Sequence, residues 1–559
     1  MARNISKVYL LDVPMEDDLK NTLYFASASA QQTYFQSVIG KTYTDVSYQS
    51  ETRTFRCKDE LEVVRQYNYI MWQNTAYSNK WFYGFITKAT HVSDGLTDIE
   101  FEVDPIQTFM FDITIKPSFI EREHCNDDTV GLHTLAENFD LGDYQINSST
   151  IISMVSSDGT VPSGHTPWYV CFCVTEQPDP NNPIPIAPVT GYDVGAVYTP
   201  LKFFAVSTAN GFADANWVLN WYKRSHTSID TAIINMYMIP HSCVDFTNTQ
   251  TWTDTTVTPS VSHTVYAVLS STTLPTTDIS ESKNMSGVYR PRNAKLYTYP
   301  YCYLYLDNKC GESVIYHWED GQTINTGTQQ EPDYQKYFSF KGIAVPSASI
   351  SAKLFPTVYK GLNETSPYYG ALNYGINFGK VPVCAWTNDY YTNWLTQNGV
   401  NMATNVGLGI AGVGLGLATG GLGLVAGGLS LANTIGDVVG EKHRAETTPP
   451  QAQGNVNTGD VTFAYTFNNI IAYQMTVKKE VSQVIDSYFD MFGYKANVVK
   501  APNVAHRQNW WYTKTIGANI VGNVPNDYMT EIKKAYDDGI TYWRTPANFL
   551  DYSKPNGIV

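Results

Sequence analysis

Along the chain, apolar and polar positions mostly alternate with a strand-like period of two, and a helical period takes over only near the C-terminal end. Residues 81–91 form an aromatic and β-branched run, Ser93-Asp94-Gly95 is a turn signal, and residues 96–103 run back with Ile99, Phe101 and Val103 on one face. This predicts a hairpin with a glycine-containing loop. Residues 109–120 are expected to continue as extended chain through Pro117. Short apolar runs at 168–174, 201–206 and 296–306 stand between Ser/Thr/Asn/Pro-rich segments and predict sandwich or barrel-like β modules. The proline-dense residues 177–188 read as a loop. Val477, Val481, Val484, Tyr488 and Met491 recur at four-three spacing, which predicts an amphipathic helix stopped by Gly493. A second helix is expected from a cap at Asn526 or Asp527 to Gly539, with Ile532 and Tyr536 inward, and then a strand at 540–544.

One stretch fits neither period. Residues 406–435 read VGLGIAGVGLGLATGGLGLVAGGLSLANTI, and no formal charge occurs between Asp389 and Asp437. Glycine recurs at Gly407, Gly409, Gly412, Gly414, Gly416, Gly420, Gly421, Gly423, Gly427 and Gly428. As one helix the stretch would span roughly 45 Å, more than the ~30 Å hydrocarbon core of a bilayer. Gly412, Gly416, Gly420 and Gly428 would share a helical face, a spacing that lets helix backbones approach closely in lipid. In water each glycine weakens a helix by about 1 kcal/mol relative to Ala. The candidate membrane-active positions are therefore Leu408, Ile410, Gly412, Val413, Leu415, Gly416, Leu417, Gly420, Leu422, Leu424, Val425, Gly428, Leu429 and Leu431. Tyr390, Tyr391 and Trp394 precede them, and Lys442, His443 and Arg444 follow; aromatics and cations at opposite ends suit interfacial anchoring. The competing reading is a buried glycine-rich packing segment. Gly407-Leu408-Gly409-Ile410-Ala411-Gly412 also fits the dinucleotide pattern G-x-G-x-x-G, but polar, turn-like residues stand where that motif needs a strand. No Gly-Lys-Ser/Thr follows to make a phosphate loop, and the position is wrong for a signal peptide.

Composition sharpens this picture. The 559 residues leave room for about three or four domains. Aromatics are 14%, with 40 Tyr, and charged residues only 16%, an ordered composition rich in strand formers. The net charge of −15 argues against a protein that grips nucleic acid, because an acidic wall repels phosphate. The eight cysteines form no C-x-x-C pair, and the N-terminal residues have no apolar signal core, so reduced, structural thiols made in a cytosol are expected.

Catalytic signatures are lacking: there is no H-E-x-x-H and no G-x-S-x-G, and His91, His165, His241 and His317 lack metal-ligand spacing. No catalytic residue, cofactor or metal is assigned, and an enzyme is not expected. Glu121-Arg122-Glu123-His124 is read as a solvated charged face, and Asp127-Asp128 and Asp537-Asp538 as solvated charges near turns or helix ends.

Several motifs, in order, resemble the tail knob proteins of small short-tailed phages that infect Gram-positive bacteria. They are Asp12-Val13-Pro14, Asp18, Lys20-Asn21-Thr22 and Phe25; then Gln73-Asn74, Tyr77, Asn79-Lys80-Trp81-Phe82-Tyr83 and Phe85. Phe101-Glu102-Val103-Asp104, Gln107-Thr108, Met110-Phe111, Ser118-Phe119-Ile120 and Arg122-Glu123-His124 continue the series. Asn388-Asp389-Tyr390, Leu395 and Gln397 precede the apolar stretch; Gly493-Tyr494-Lys495, Asp538-Gly539-Ile540-Thr541 and Trp543 close it. The likeness covers the two ends of the chain and leaves residues 150–385 unmatched.

The resemblance implies a mainly β, multi-domain, tube-forming protomer. A two-part terminal module would join residues 1–150 to an α+β segment at 456–559, around a central β-rich region at 151–390 and an apolar loop with its polar linker at 391–455. It implies a homo-oligomer, a hexamer, at the distal end of the tail, joined to an upstream tail or collar protein. Duplex DNA would pass through its lumen without tight binding. The apolar loops would plug the tube, then penetrate the host cytoplasmic membrane. Synthesis in the host cytoplasm and residence in the virion follow. The alternative is a pore-forming or host-surface-binding protein without a DNA conduit.

Overall fold

The computed structural model describes residues 6–46, 48–49, 53–75, 78–155, 161–175, 190–194, 197–209, 213–225, 233–254, 258–269, 271–285, 288–308, 311–327, 334–346, 350–363, 371, 373–378 and 469–559. The loop expected at 177–188 therefore lies outside the described residues. The architecture is mainly β with a few helices, and it divides into two compact units. One comprises Met1–Gly142, Pro291–Leu296 and Lys479–Val559; the other Asp143–Arg290 and Tyr297–Lys478.

The first unit is built on two large sheets and a two-stranded ribbon of Ile113–Ile115 with Ile520–Gly522. The seven-stranded sheet runs in the order Ile39–Val46, Ser6–Leu11, Tyr69–Asn74, Trp81–Ser93, Leu96–Val103, Thr54–Cys57, Tyr48–Gln49. Its Trp81–Ser93 and Leu96–Val103 strands form the expected hairpin, with Gly95 at φ 69° in the turn. Thr97, Ile99 and Phe101 point into the core. The five-stranded sheet runs in the order Asn21–Leu23, Ile540–Trp543, Trp510–Ile516, Ser118–Glu123, Tyr494–Lys500, so residues from both ends of the chain alternate within it. Asn21–Leu23 lies parallel to Ile540–Trp543, and Trp543 Nε1 donates to Asn21 Oδ1 at 3.0 Å. A single apolar cluster takes Leu11, Phe35, Tyr69 and Tyr83 together with Trp510 and Trp543, whose tilted rings lie 5.1 Å apart.

Within residues 109–120 the chain is extended from Ile113 onward, with strands Ile113–Ile115 and Ser118–Glu123 on either side of Pro117, but 109–112 are the end of a helix and a turn. That short helix, Pro105–Phe109, forms because Asp104 caps it: Oδ1 accepts from the Ile106 and Gln107 amides at 2.9 and 3.0 Å. Tyr69 Oη donates to the other Asp104 oxygen at 2.9 Å. Gln107 Nε2 then donates to Thr22 Oγ1 and Leu23 O at 2.8 and 2.7 Å, tying this turn to the parallel strand.

The C-terminal helix begins at Lys479 and ends at Phe492, since Val477 closes the preceding strand. Its buried face is Ser482, Ile485, Asp486 and Phe489; Val484, assigned inward from spacing alone, is 71% exposed. Gly493 does stop this helix: it sits at φ 65°, and a Cβ there would meet Glu123 O at 2.1 Å. The last helix spans Asn526–Asp538 with Ile532, Ala535 and Tyr536 buried; Pro525 rather than a polar side chain precedes it. Asp537 is not merely solvated, since its Oδ1 accepts from Thr515 Oγ1 at 2.6 Å. Ile540–Trp543 follows as a strand.

The charged cluster at 121–124 is not a solvated face. A register shift between Ile120 and Arg122 breaks the strand alternation, and Glu123 and His124 are each 4% exposed. Glu123 accepts from the Asn503 amide and Nδ2 at 3.0 and 3.1 Å and pairs with Lys500. His124 Nδ1 accepts from the Tyr512 amide at 2.7 Å, and Nε2 donates to Asp490 O at 2.9 Å. Burial, with the Arg507 charge, pushes this imidazole down to about 3, so it is neutral. Asp128 is likewise engaged, accepting from Tyr494 Oη at 2.8 Å and the Ala294 amide at 3.1 Å.

In the second unit, Trp168–Val174 is buried at every position because it lies between Ile233–Pro240 and Val197–Ser207 in a six-stranded sheet. A five-stranded sheet runs Thr272–Ser280, Tyr334–Pro346, Ile350–Pro356, Ile376–Asn377, with Gln322–Asn325 pairing to the second of these. A four-stranded sheet runs Tyr144–Ser153, Asn469–Val477, Cys302–Asp307, Ser313–Tyr316. The run at 296–306 is thus a single turn, Ala294–Tyr297, and then a strand. Cys57, Cys125, Cys171, Cys173, Cys243 and Cys302 are free and buried.

Candidate functional site: the base of the apolar stretch

The apolar and glycine positions from Leu408 to Leu431 lie outside the described residues, as do Tyr390, Tyr391, Trp394, Lys442 and Arg444 and the polar linker at 441–460. What the fold does place is the chain on either side of residues 379–468. Both flanks belong to the second unit, and both are held by one hairpin.

That hairpin is Cys302–Asp307 with Ser313–Tyr316, paired from Leu304↔Tyr316 to Asp307↔Ser313. Its apolar alternation buries Cys302, Leu304 and Leu306. Near the tip, Asn308 and Glu312 bond each other's backbones: the Asn308 amide donates to Glu312 O, and the Glu312 amide to Asn308 Oδ1, each at 3.1 Å.

The outgoing flank is gripped by these same side chains. Asn308 Nδ2 donates to Asn377 O at 3.0 Å. Glu312 Oε2 accepts from Asn377 Nδ2 at 3.1 Å and from its amide at 3.3 Å. The Phe378 amide donates to Ala352 O at 2.9 Å, and Ile376 is fully buried.

The returning flank enters as Asn469–Val477, the most deeply held strand of the four-stranded sheet. It pairs along its whole length with Tyr144–Ser153 on one side and with the hairpin strand on the other, Asp307 lying opposite Ile471. Ile470, Ala472, Thr476 and Val477 are buried. Gln474 makes a side-chain tie to a different sheet: its Nε2 donates to Ser280 O at 2.8 Å, and its Oε1 accepts from the Ser282 amide at 3.0 Å.

The arrangement holds the described chain on both sides of residues 379–468 on one hairpin. Among the described residues no group of His, Cys, Asp and Glu is placed to hold a metal ion. No helix among them is long and apolar enough to cross a membrane. Asn308, Glu312 and Gln474 were not singled out from sequence. The hairpin they depend on was not read from sequence beyond the apolar run at 296–306; the alternating CYLYLD and SVIY runs around Asn308 and Gly311 are the signal for it.

The fold defined by these sheets is that of a phage tail knob protein: the structure of the bacteriophage C1 tail knob protein, gp12, superposes with a TM-score of 0.61 at 12% identity, covering 99% of this chain and 100% of that one. The chain belongs to the family described as Bacillus phage phi29, tail knob protein gp9, C-terminal domain, which matches residues 265–557. Residues 4–114 match a second family model, the caudoviral major tail protein N-terminus. Tail knob protein gp9 of Bacillus phage B103 is 24% identical, with 95% of each chain covered, and that of Bacillus phage PZA is 25% identical, with 98% of each covered. The chain is therefore a structural component of a phage tail, carried in the virion and assembled with other tail proteins.

Proposed function

We propose that this chain forms a hexameric tube at the distal end of the tail, through which duplex DNA leaves the virion. In this reading the tube joins an upstream tail or collar protein, and its apolar stretches plug the lumen until they are released into the host cytoplasmic membrane. Membership of the tail knob family supports the tail-tip location. The observation that carries the membrane step is the uncharged run between Asp389 and Asp437, with flanks clamped on one hairpin.

A segment tethered at both ends can change environment without unravelling the sheets beneath it. Shielded inside a ring, it exposes no aggregation-prone patch. In a bilayer, burying about ten Leu, Ile and Val side chains contributes on the order of 15 kcal/mol, provided the backbone pairs its own polar groups. The acidic chain, at −15, lets DNA slide and not bind.

The test is dye release from liposomes alongside assembly mass by light scattering. Leu415→Asp with Leu422→Asp places carboxylates at mid-bilayer, each costing about 2.5–3.5 kcal/mol. Leakage is expected to vanish while assembly mass is unchanged. Leakage that persists in the double variant rejects the membrane step. Loss of assembly as well would favour a packing segment, and deletion of residues 406–435 would then separate the two.

A further inference from the structure

Glu281 follows the Thr272–Ser280 strand of the second unit and is 1% exposed. Its backbone is engaged on both sides: the amide donates to Lys336 O at 2.9 Å, and the carbonyl accepts from Gln335 Nε2. Its carboxyl is not. Neither Oε1 nor Oε2 has a hydrogen-bond partner among the described residues. The residues on either side of it, Ser280 and Ser282, are the two that hold Gln474 of the strand returning from the apolar stretch. Glu281 is thus the residue between the two backbone ends of that side-chain tie.

The titratable groups facing it are Lys283 beside it in the chain, Lys336 on the Tyr334–Pro346 strand, Glu319 on the Trp318–Asp320 turn and Cys302 on the hairpin. Both lysines are committed to carbonyls, Lys283 Nζ to Tyr334 O and Lys336 Nζ to Glu319 O at 3.4 Å. Glu319 itself accepts from the Tyr299 amide at 3.1 Å. A carboxylate left in such a place loses its hydration, and the Lys336 backbone and the two lysine charges offset that loss only in part; protonation removes the penalty.

We propose that Glu281 is a proton-dependent latch on the base of the apolar stretch: as a neutral acid it lets the Gln474 tie close, and its ionisation loosens the Asn469–Val477 strand from Ser280 and Ser282. Burial, only partly offset by Lys283, pushes this carboxyl up from its ordinary 4.5 to about 8. Between those values the folded protein keeps a proton that an unfolded chain has shed. The stability this group contributes is complete below pH 4.5, declines as pH rises, and is gone above about 8. The latch does not depend on whether the stretch enters a membrane.

The test is hydrogen exchange in the full-length protein at pH 6 and pH 9, corrected for the intrinsic rate. Residues 469–477 are compared with 168–174, the fully buried strand of a different sheet. In the wild type, protection of 469–477 is expected to fall about tenfold or more relative to 168–174 at the higher pH. In Glu281→Gln, which cannot ionise, protection at pH 9 should match that at pH 6. A flat wild-type profile overturns the proposal, and so does an equal loss in the variant; either would mean that an ordered water or a shifted side chain satisfies the ionised group. Should the amide variant fail to fold, Glu281→Leu carries the same expectation.

Discussion

Two regions of the molecule bury acidic side chains and treat them in opposite ways. In the first unit Glu137, with its side chain 2% exposed, accepts from Lys295 Nζ at 2.7 Å and from the Lys495 amide at 2.9 Å and also pairs with Arg122. In the same unit, fully buried Asp486 accepts from the Arg292 amide at 2.9 Å, the Asn293 amide at 3.1 Å and Asn293 Nδ2 at 2.8 Å. In the second unit Glu281 has no such partner among the described residues. Burial alone would raise both glutamates. For Glu137 the Lys295 and Lys495 donors and the Lys295 and Arg122 charges outweigh it and hold the carboxyl below its ordinary range, while Glu281 is pushed up. The donors and charges supplied by distant chain segments set the sign for Glu137. In the first unit those segments are 122–137, 291–296 and 479–495, so the paired acids lock three separated stretches together.

The comparison breaks most visibly at Lys295. Lys295→Met keeps the volume and leaves Glu137 with Arg122 and the Lys495 amide, and a loss of about 3–5 kcal/mol is expected, read as a lower urea midpoint. A loss below about 1 kcal/mol would mean that Arg122 and the Lys495 amide suffice. Next in size is Asp486→Ala, which orphans the Arg292 and Asn293 amides while Asn293 Nδ2 keeps Asp486 O and Asp490 Oδ1, and should cost about 2–3 kcal/mol. The two regions should also fail at opposite pH. Glu137's contribution is present above its ordinary 4.5 and is lost as pH falls through its lower folded value. Glu281's contribution is lost as pH rises towards about 8. Glu137→Gln should therefore flatten the acid limb of a stability profile and leave the alkaline limb alone.

Some of the residues carrying the family resemblance are structural polar groups, which explains part of what was legible. Asp104 and Gln107 recur as a motif because one caps a helix and the other ties it to Thr22 and Leu23. The Leu96–Val103 strand was readable because one face is buried and one is not. Glu121 to His124 was misread because a bulge cannot be seen in a period-two pattern. The partners of Glu123 and His124 at Asn503 and Tyr512 also lie 380 and 388 residues away. The apolar stretch announced itself by composition. Its clamps did not, since Glu312 meets Asn377 across 65 residues and Gln474 meets Ser282 across 192. Local spacing reports burial where the neighbour is local; it fails where the neighbour is brought in by topology.

The smallest expected effect tests that lesson within one helix. Four-three spacing put Val481, Val484 and Tyr488 inward, whereas the Lys479–Phe492 helix turns Ser482, Ile485, Asp486 and Phe489 to the core. The rotation follows from Asp486: three donors waiting on Arg292 and Asn293 outweigh the burial of one valine. Val484→Lys, at a position 71% exposed, should change stability by less than about 0.5 kcal/mol. Ile485→Ala, one residue on and 3% exposed, should cost about 2–5 kcal/mol. Reversed costs would show that the apolar stripe, not the buried acid, orients the helix. If Val484→Lys left the monomer's thermal midpoint intact but lowered its assembly mass, that valine would be covered by a second copy of the chain. The buried acid would then have freed an apolar face for assembly by turning the helix.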